Sequence, residues 1–302
     1  MHITVVPASP KTGLATIRAL LADPRQPTIR GYYRNLSKVP AELAAQHPRF
    51  EAVRGDVEDL ETLDFAGSDA VFNITPPLYQ EGRDIVAHAR VVSENVKTAV
   101  RKAGVRKVVL LSSVGAQYGS GTGEILSNHA AEVALADAAP EVAFVRCTYF
   151  MENWATALET LPAGFFFSTL TPLDFPLPMV AIKDIGLTCA DELLTPPSSS
   201  PSPIIYELRG PREYTTVDVQ QAIAQATGKE IEVRPVEKDG LDAFYAAVFP
   251  PSVAKLFAEM NRSFLEGGIL ALDPEPTKGE TKYGKTELGE VIRGLVGVDE
   301  LD

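Results

Sequence analysis

The chain has 302 residues, 45% hydrophobic and 23% charged, which suits one large α/β domain or a domain with a smaller lobe and excludes a small stapled module. Its 40 acidic against 28 basic side chains give a net charge of −12, which argues against direct nucleic-acid binding. Cys147 and Cys189 lack metal spacing and read as buried free thiols, no apolar run reaches the ~18 residues of a membrane span, and the N-terminus is not leader-like, so a cytoplasmic protein is expected.

Ile3 to Val6 is a β-branched apolar run that stops at a tight polar turn, Pro7 to Gly13. The turn leads straight into a helix with Leu14, Ile17, Leu20 and Leu21 on one face. At such a strand, loop and helix junction, dinucleotide-binding units aim a helix N-terminus and free backbone N–H groups at a pyrophosphate. Those loops carry three glycines. Here Pro7 and Pro10 stand where the first two would be, and only Gly13 remains. Proline neither adopts positive φ nor donates an N–H. The loop therefore either holds phosphate by another path, through Ser9, Lys11, Thr12 and Gly13, or holds none.

A second strand, Thr28 to Arg34, ends in a cation. An acidic residue there would hold both ribose hydroxyls, whereas an arginine accommodates a 2′-phosphate. Arg34 thus argues for NADP over NAD, against the plainer reading of a solvated strand-end arginine. Ala41 to Ala45 is a short helix, and Phe50 to Val53 is a third strand leading to Asp56 and Val57. Asp56 either accepts from an adenine amino group or caps the next helix. A fourth strand, Ala70 to Ile74, opens onto Thr75 and Pro76 at the carboxyl edge where open α/β sheets bind ligands. A long amphipathic helix from about Glu81 to Ala103 precedes a fifth, nearly all-apolar strand from Lys107 through Ser112 to Ser113. Five alternations of strand and helix point to a doubly wound parallel sheet.

Tyr118 and a helix from about Ser127 to Ala138 containing His129 follow, then a sixth strand from Val142 to Cys147. It opens onto an aromatic elbow, Tyr149, Phe150, Asn153 and Trp154, which either walls a substrate pocket or welds two halves of the protein together. In the second half, Phe165 to Phe167 and Pro176 to Val180 read as strand or irregular segments, and Asp184 as the cap of a helix through Leu194. Pro196 to Pro203 reads as an exposed, protease-prone loop. A strand follows at Ile204 to Leu208, then a helix from Thr215 to Thr227 with a Thr215 to Asp218 capping box and a strand at Glu230 to Pro235. Helices at Leu241 to Val248, Ser252 to Leu265 and about Thr286 to Leu295 complete the chain.

These residues resemble the NmrA-like family of atypical short-chain dehydrogenases. The resemblance is carried by Pro7 to Gly13, by Arg34, by Arg146 to Trp154 (similar to the family's Arg-Pro-x-x-Phe-Met-Glu-Asn), and by Pro178 to Val180 with Asp184 to Gly186 and Gly210-Pro211. It implies a Rossmann domain over residues 1–155 and a smaller α+β lobe over 156–302, with 179–210 packing back on the sheet. The two would enclose a cleft for NADP(H). The cofactor set is then Ser9, Lys11, Thr12, Gly13, Arg34, Asp56, Val57, Thr75, Pro76, Ser112 and Tyr149, with Phe150, Asn153 and Trp154 toward substrate.

Reduction of a carbonyl requires a proton donor, which short-chain dehydrogenases usually supply as Tyr-x-x-x-Lys. Four residues after Tyr118 stands Thr122, and no lysine lies between Lys107 and Lys183. Tyr118 and His129 are the candidate proton donors. Three readings remain open: an NADP(H)-dependent reductase of a hydrophobic small molecule, a non-catalytic NADP(H)-sensing or partner-binding regulator, and a cofactor-free isomerase or cyclase. The expected partner is accordingly a small molecule or a regulatory protein. The four scattered histidines suggest no metal site.

Overall fold

The strand Lys107–Ser113 is buried along nearly its whole length, as a strand covered on both faces must be, and the layers stack to either side of it. The computed structural model describes residues 1–44, 49–196, 202–271 and 279–297. In chain order its elements are β1 (His2–Val6), α1 (Lys11–Ala22), β2 (Thr28–Tyr33), α2 (Ala41–Ala44), β3 (Phe50–Arg54), β4 (Ala70–Ile74), α3 (Ile85–Ala103), β5 (Lys107–Ser113), α4 (Leu126–Leu135), β6 (Glu141–Cys147) and β7 (Tyr149–Phe150). There follow β8 (Phe165–Ser168), β9 (Leu177–Val180), α5 (Ile182–Leu194), β10 (Ile204–Arg209), β11 (Glu213–Tyr214), α6 (Thr216–Thr227), β12 (Glu232–Pro235), α7 (Leu241–Ala246), α8 (Pro251–Phe264), β13 (Glu280–Tyr283) and α9 (Leu288–Val296).

Eight strands form one parallel sheet in the order β13-β10-β6-β5-β4-β1-β2-β3. This is a doubly wound, Rossmann-like α/β fold. Alternate residues of each strand serve opposite layers: Val109 and Val145 pack with Ile17 of α1 and Ile185 and Leu193 of α5, while Val108, Leu110 and Phe144 pack with Val92 and Val96 of α3 and Leu135 of α4. Strand order reverses between β1 and β4, so the crevice at their carboxyl ends is the switch point where such sheets bind ligands.

The smaller lobe has its own core, built from Met151, Trp154, Phe166, Tyr214, Val219 and Ile223 among others. A three-stranded sheet of β11, β9 and β7 ties it to the end of β6, and β8 pairs in parallel with β12. The chain returns to the large sheet twice, through α5 and β10 and again at β13. Among the described residues, no helix is long and apolar enough to cross a membrane.

Three local features differ from the sequence reading. Helix α3 starts at Ile85, not near Glu81, because the Asp84 carboxylate accepts the Val86 and Ala87 N–H groups as its cap. Asp184 does not cap α5; it lies inside the first turn, where its buried carboxylate accepts from Lys285 N, Thr286 N and the Thr286 hydroxyl. Strand β13 goes unread in the sequence because an exposed edge strand of composition Glu-Thr-Lys-Tyr carries no apolar run. Most of the Pro196 to Pro203 loop, residues 197–201, lies outside the described residues, as does His47.

Candidate functional site

Helix α1 begins at Lys11 with Pro10 in the cap position and no side-chain cap. Its first internal backbone bond runs from Leu14 N to the Pro10 carbonyl, so the N–H groups of Lys11, Thr12 and Gly13 face out of the helix start without an intrahelical acceptor. The Ala8 N–H is already given to the Tyr32 carbonyl of β2 at 2.8 Å. With Pro7 and Pro10 lacking donors, Ser9 and the helix start are what the turn offers an anion. Gly13 is needed for a packing reason: a Cβ there would sit 2.9 Å from the Ala8 carbonyl oxygen and 3.2 Å from the Ile74 side chain. The turn can therefore close against β4 only with glycine at this position.

Arg34 stands exposed just past β2 and, among the described residues, makes no hydrogen bond or ion pair. Asp56 follows β3, where one of its carboxylate oxygens accepts the Glu58 N–H at 3.1 Å. The neighbouring Val57 is buried and its carbonyl accepts from Asn95 Nδ2 of α3 at 2.9 Å. At the end of β4 the Thr75 hydroxyl is buried and unpartnered, beside half-buried Pro76. Free helix-start N–H groups, an unpaired guanidinium and an unsatisfied hydroxyl at the carboxyl ends of neighbouring strands are chemically suited to a phosphate-bearing dinucleotide.

Ser112 is turned inward. Its hydroxyl donates to Glu132 Oε1 at 2.6 Å, and Glu132 is gripped by Arg146 through Nε at 2.8 Å and Nη2 at 2.7 Å, with all three side chains buried. Arg146 also reaches Gln117 Oε1 at 3.3 Å, the atom that accepts the Gly115 N–H. The charged pair thus pins the loop that carries Tyr118 to the end of β5. His129 adds a second anchor, with Nδ1 2.8 Å from the Ala116 carbonyl. A carbonyl only accepts, so Nδ1 holds the proton, and a neutral ring offers just a lone pair at Nε2. His129 can then give a proton outward only as the imidazolium.

Residues 149 and 150 point to opposite sides, as a strand requires. Phe150 packs against the α1 and α5 layer of the large sheet, away from the lobe. Tyr149 faces the lobe, where its ring meets Trp154 and Phe264. Burial pushes the Tyr149 phenol well above the usual tyrosine range. The elbow's aromatics therefore divide: Phe150 welds the chain to the sheet, while Tyr149 and Trp154 line the lobe side.

Sequence reasoning passed over a further pair. Tyr79, in the loop after β4, lies near enough to Glu124, in the 3-10 turn after β5, for the two to interact electrostatically. Ser127 Oγ donates to Glu124, at 3.4 Å. Burial raises the Glu124 carboxyl above the ordinary carboxylate range, so it holds its proton more tightly than a solvated glutamate. The two loops meet beneath α8: the Tyr79 ring stands edge-on to Phe249 and Phe257, and a side chain at Gly123 would overlap the Leu256 backbone. No spacing links positions 79 and 124; the signal in the sequence is a lone acid at the end of the Gly119 to Gly123 stretch.

Residues 8–165 match the sequence model of a family described as NAD(P)H-binding. The chain belongs to the NAD(P)H-binding family. A 105-residue stretch is 31% identical to cinnamoyl-CoA reductase 1 of Petunia hybrida, covering 34% of this chain and 29% of the petunia protein's length. Among solved structures, the Citrobacter sp. triphenylmethane reductase complexed with NADP(H) is similar at a TM-score of 0.73, with 21% identity over 98% of this chain and 100% of that one. The NADPH-dependent quinone oxidoreductase QOR2 of Escherichia coli is similar at 0.70, with 22% identity and the same coverage. At these identities the likeness is one of fold. Membership of that family makes NAD(P)H the coenzyme of this chain.

Proposed function

We propose that this member of the NAD(P)H-binding family is an NADP(H)-dependent reductase acting on a hydrophobic small molecule. The observation that carries the reading is the convergence, on one sheet edge, of free helix-start N–H groups, the unpaired Arg34 and an aromatic wall supplied by the lobe. Ser9, Lys11, Thr12 and Gly13 would hold the pyrophosphate, Arg34 the 2′-phosphate and Asp56 the adenine edge; Thr75 would meet the coenzyme at the end of β4. The bound coenzyme would supply a hydride. The reductases among its structural relatives support the same direction.

The proton that completes reduction of a carbonyl has a source in this chain without a Tyr-Lys dyad. Glu124, whose carboxyl is raised by burial above the ordinary carboxylate range, would pass a proton to the Tyr79 phenol as Tyr79 gives its own to the substrate oxygen. Tyr118 and His129 are the competing donors. Titration with NADPH and NADH followed by a panel of aldehydes, quinones and enones tests the reading. Tighter NADPH binding with turnover supports it. Tight binding without turnover identifies a dinucleotide sensor instead, and activity without any coenzyme identifies an isomerase or cyclase. Among the variants Tyr79→Phe, Tyr118→Phe and His129→Ala, the one that lowers kcat while leaving NADPH affinity intact marks the donor.

A further inference from the structure

Helix α8 presents Phe257, Asn261 and Phe264 at the i, i+4, i+7 spacing of a single face. Phe257 stacks on Phe249 at 4.5 Å and receives the edge of Tyr79, and Phe264 meets Tyr149. Between these rings lies a carboxamide with 2% of its surface exposed. Asn261 Nδ2 donates to Thr169 Oγ1 at 2.9 Å and to the Tyr245 phenol at 2.6 Å, but Oδ1 is buried with no partner. Trp154, 4% exposed and packed between Tyr149 and Phe166, likewise has a buried indole N–H with no partner. Tyr149 lies between the two elements that carry them: its ring meets Trp154 on one side and Phe264, three residues after Asn261 on α8, on the other.

Buried polar atoms are ordinarily hydrogen-bonded, and each left unmade is costly. The bonds to Thr169 and Tyr245 account for one arm of the Asn261 amide, and the other arm is left over. One unsatisfied donor and one unsatisfied arm of an amide, gathered around Tyr149 in a wall of rings, call for a group that can both accept and donate. A hydroxyl does both, and it fits whichever way round the carboxamide is turned. A bare carbonyl would satisfy the indole alone.

We propose that Asn261 and Trp154 form the polar end of a substrate pocket that takes a hydroxyl-bearing aromatic ring, the hydroxyl accepting from the indole and bonding the free arm of the amide. The surrounding rings of Tyr149, Tyr245 and Phe264 supply its apolar walls. This deepens the reductase reading, and rests on it only in treating the ligand as substrate.

Calorimetric titration of the full chain with 4-nitrophenol and 4-nitroanisole, at a pH that keeps the phenol neutral, tests the pocket. NADPH is titrated in parallel. The two probes share a ring and differ in the hydroxyl. The phenol should bind roughly tenfold more tightly or better, the size of effect expected when buried partners are satisfied. Trp154→Phe keeps an aromatic ring but removes the N–H, and Asn261→Leu removes the amide. Each should collapse the difference between probes while leaving NADPH affinity as in the parent, and Trp154→Phe carries the test alone if Asn261→Leu fails to fold. Equal binding of the two probes, binding of neither, or a preference that survives in the folded variants overturns the proposal. NADPH binding without a hydroxyl preference defeats the pocket alone. A hydroxyl preference without NADPH binding leaves the pocket standing and defeats the reductase.

Discussion

Both carboxylate oxygens of Glu152 accept the backbone N–H of Ile182, at 2.9 and 3.0 Å. Ile182 is the first residue of α5, whose own cap position, Ala181, has no side chain able to do this. The acid of the Met-Glu-Asn stretch therefore acts as a remote helix cap, answering an orphan donor and the positive end of the helix dipole. It joins the elbow after β6 to the helix that packs on α1. Glu152→Ala should cost about 1–2 kcal/mol of stability, the usual loss on removing a cap, measured by urea unfolding. Glu152→Gln keeps an acceptor and should cost less; equal losses would mean that the charge alone matters.

That contact shows where sequence reading stops. The parallel sheet was legible because β1, β4, β5 and β6 are apolar runs separated by helical stretches, and the α6 capping box was legible because its partners lie three residues apart. The bond from Glu152 spans thirty positions, and the approach of Tyr79 to Glu124 spans more; neither leaves a periodic trace. Asn261 left a weak one, as a polar residue interrupting the Phe257 to Phe264 stripe. Ser112 looked like an edge hydroxyl, and only folding revealed that Glu132 claims its proton.

Arg34 carries the choice of coenzyme. If its guanidinium pairs with a 2′-phosphate, Arg34→Ala should lose about 1.5–3 kcal/mol of NADPH affinity, the worth of a hydrogen bond to a charged group. NADH affinity should stay as it is. Fluorescence titration of both coenzymes reads the difference, and parallel losses for the two would remove the argument for NADP.

The buried pair between Glu132 and Arg146 predicts a non-additive result. Arg146→Met leaves Glu132 charged, buried and without its partner, and should destabilise by about 3–5 kcal/mol. Glu132→Leu combined with Arg146→Met removes both charges and should recover most of that loss. Because Arg146 also holds Gln117, turnover should stay depressed in the stable double variant, with the loop bearing Tyr118 released from its anchor. A double variant with parental kcat would reduce the pair to a structural role.

Glu124 links stability and activity through pH. Burial raises its pKa in the fold above the value in the unfolded chain, so the folded protein binds this proton more tightly. The resulting stability is fully present below the ordinary glutamate value and is lost as pH rises through the raised one. Turnover should decline over the same interval, because an ionised Glu124 cannot recharge Tyr79. Glu124→Gln should abolish that stability slope and lower kcat by about 10²–10⁴-fold, the usual contribution of a general acid, with NADPH affinity retained. Tyr79→Phe should lower kcat similarly yet keep the stability slope. Unfolding curves and kcat profiles across the acidic to neutral range measure both, and an alkaline decline in kcat that persists in Glu124→Gln assigns the proton to another group.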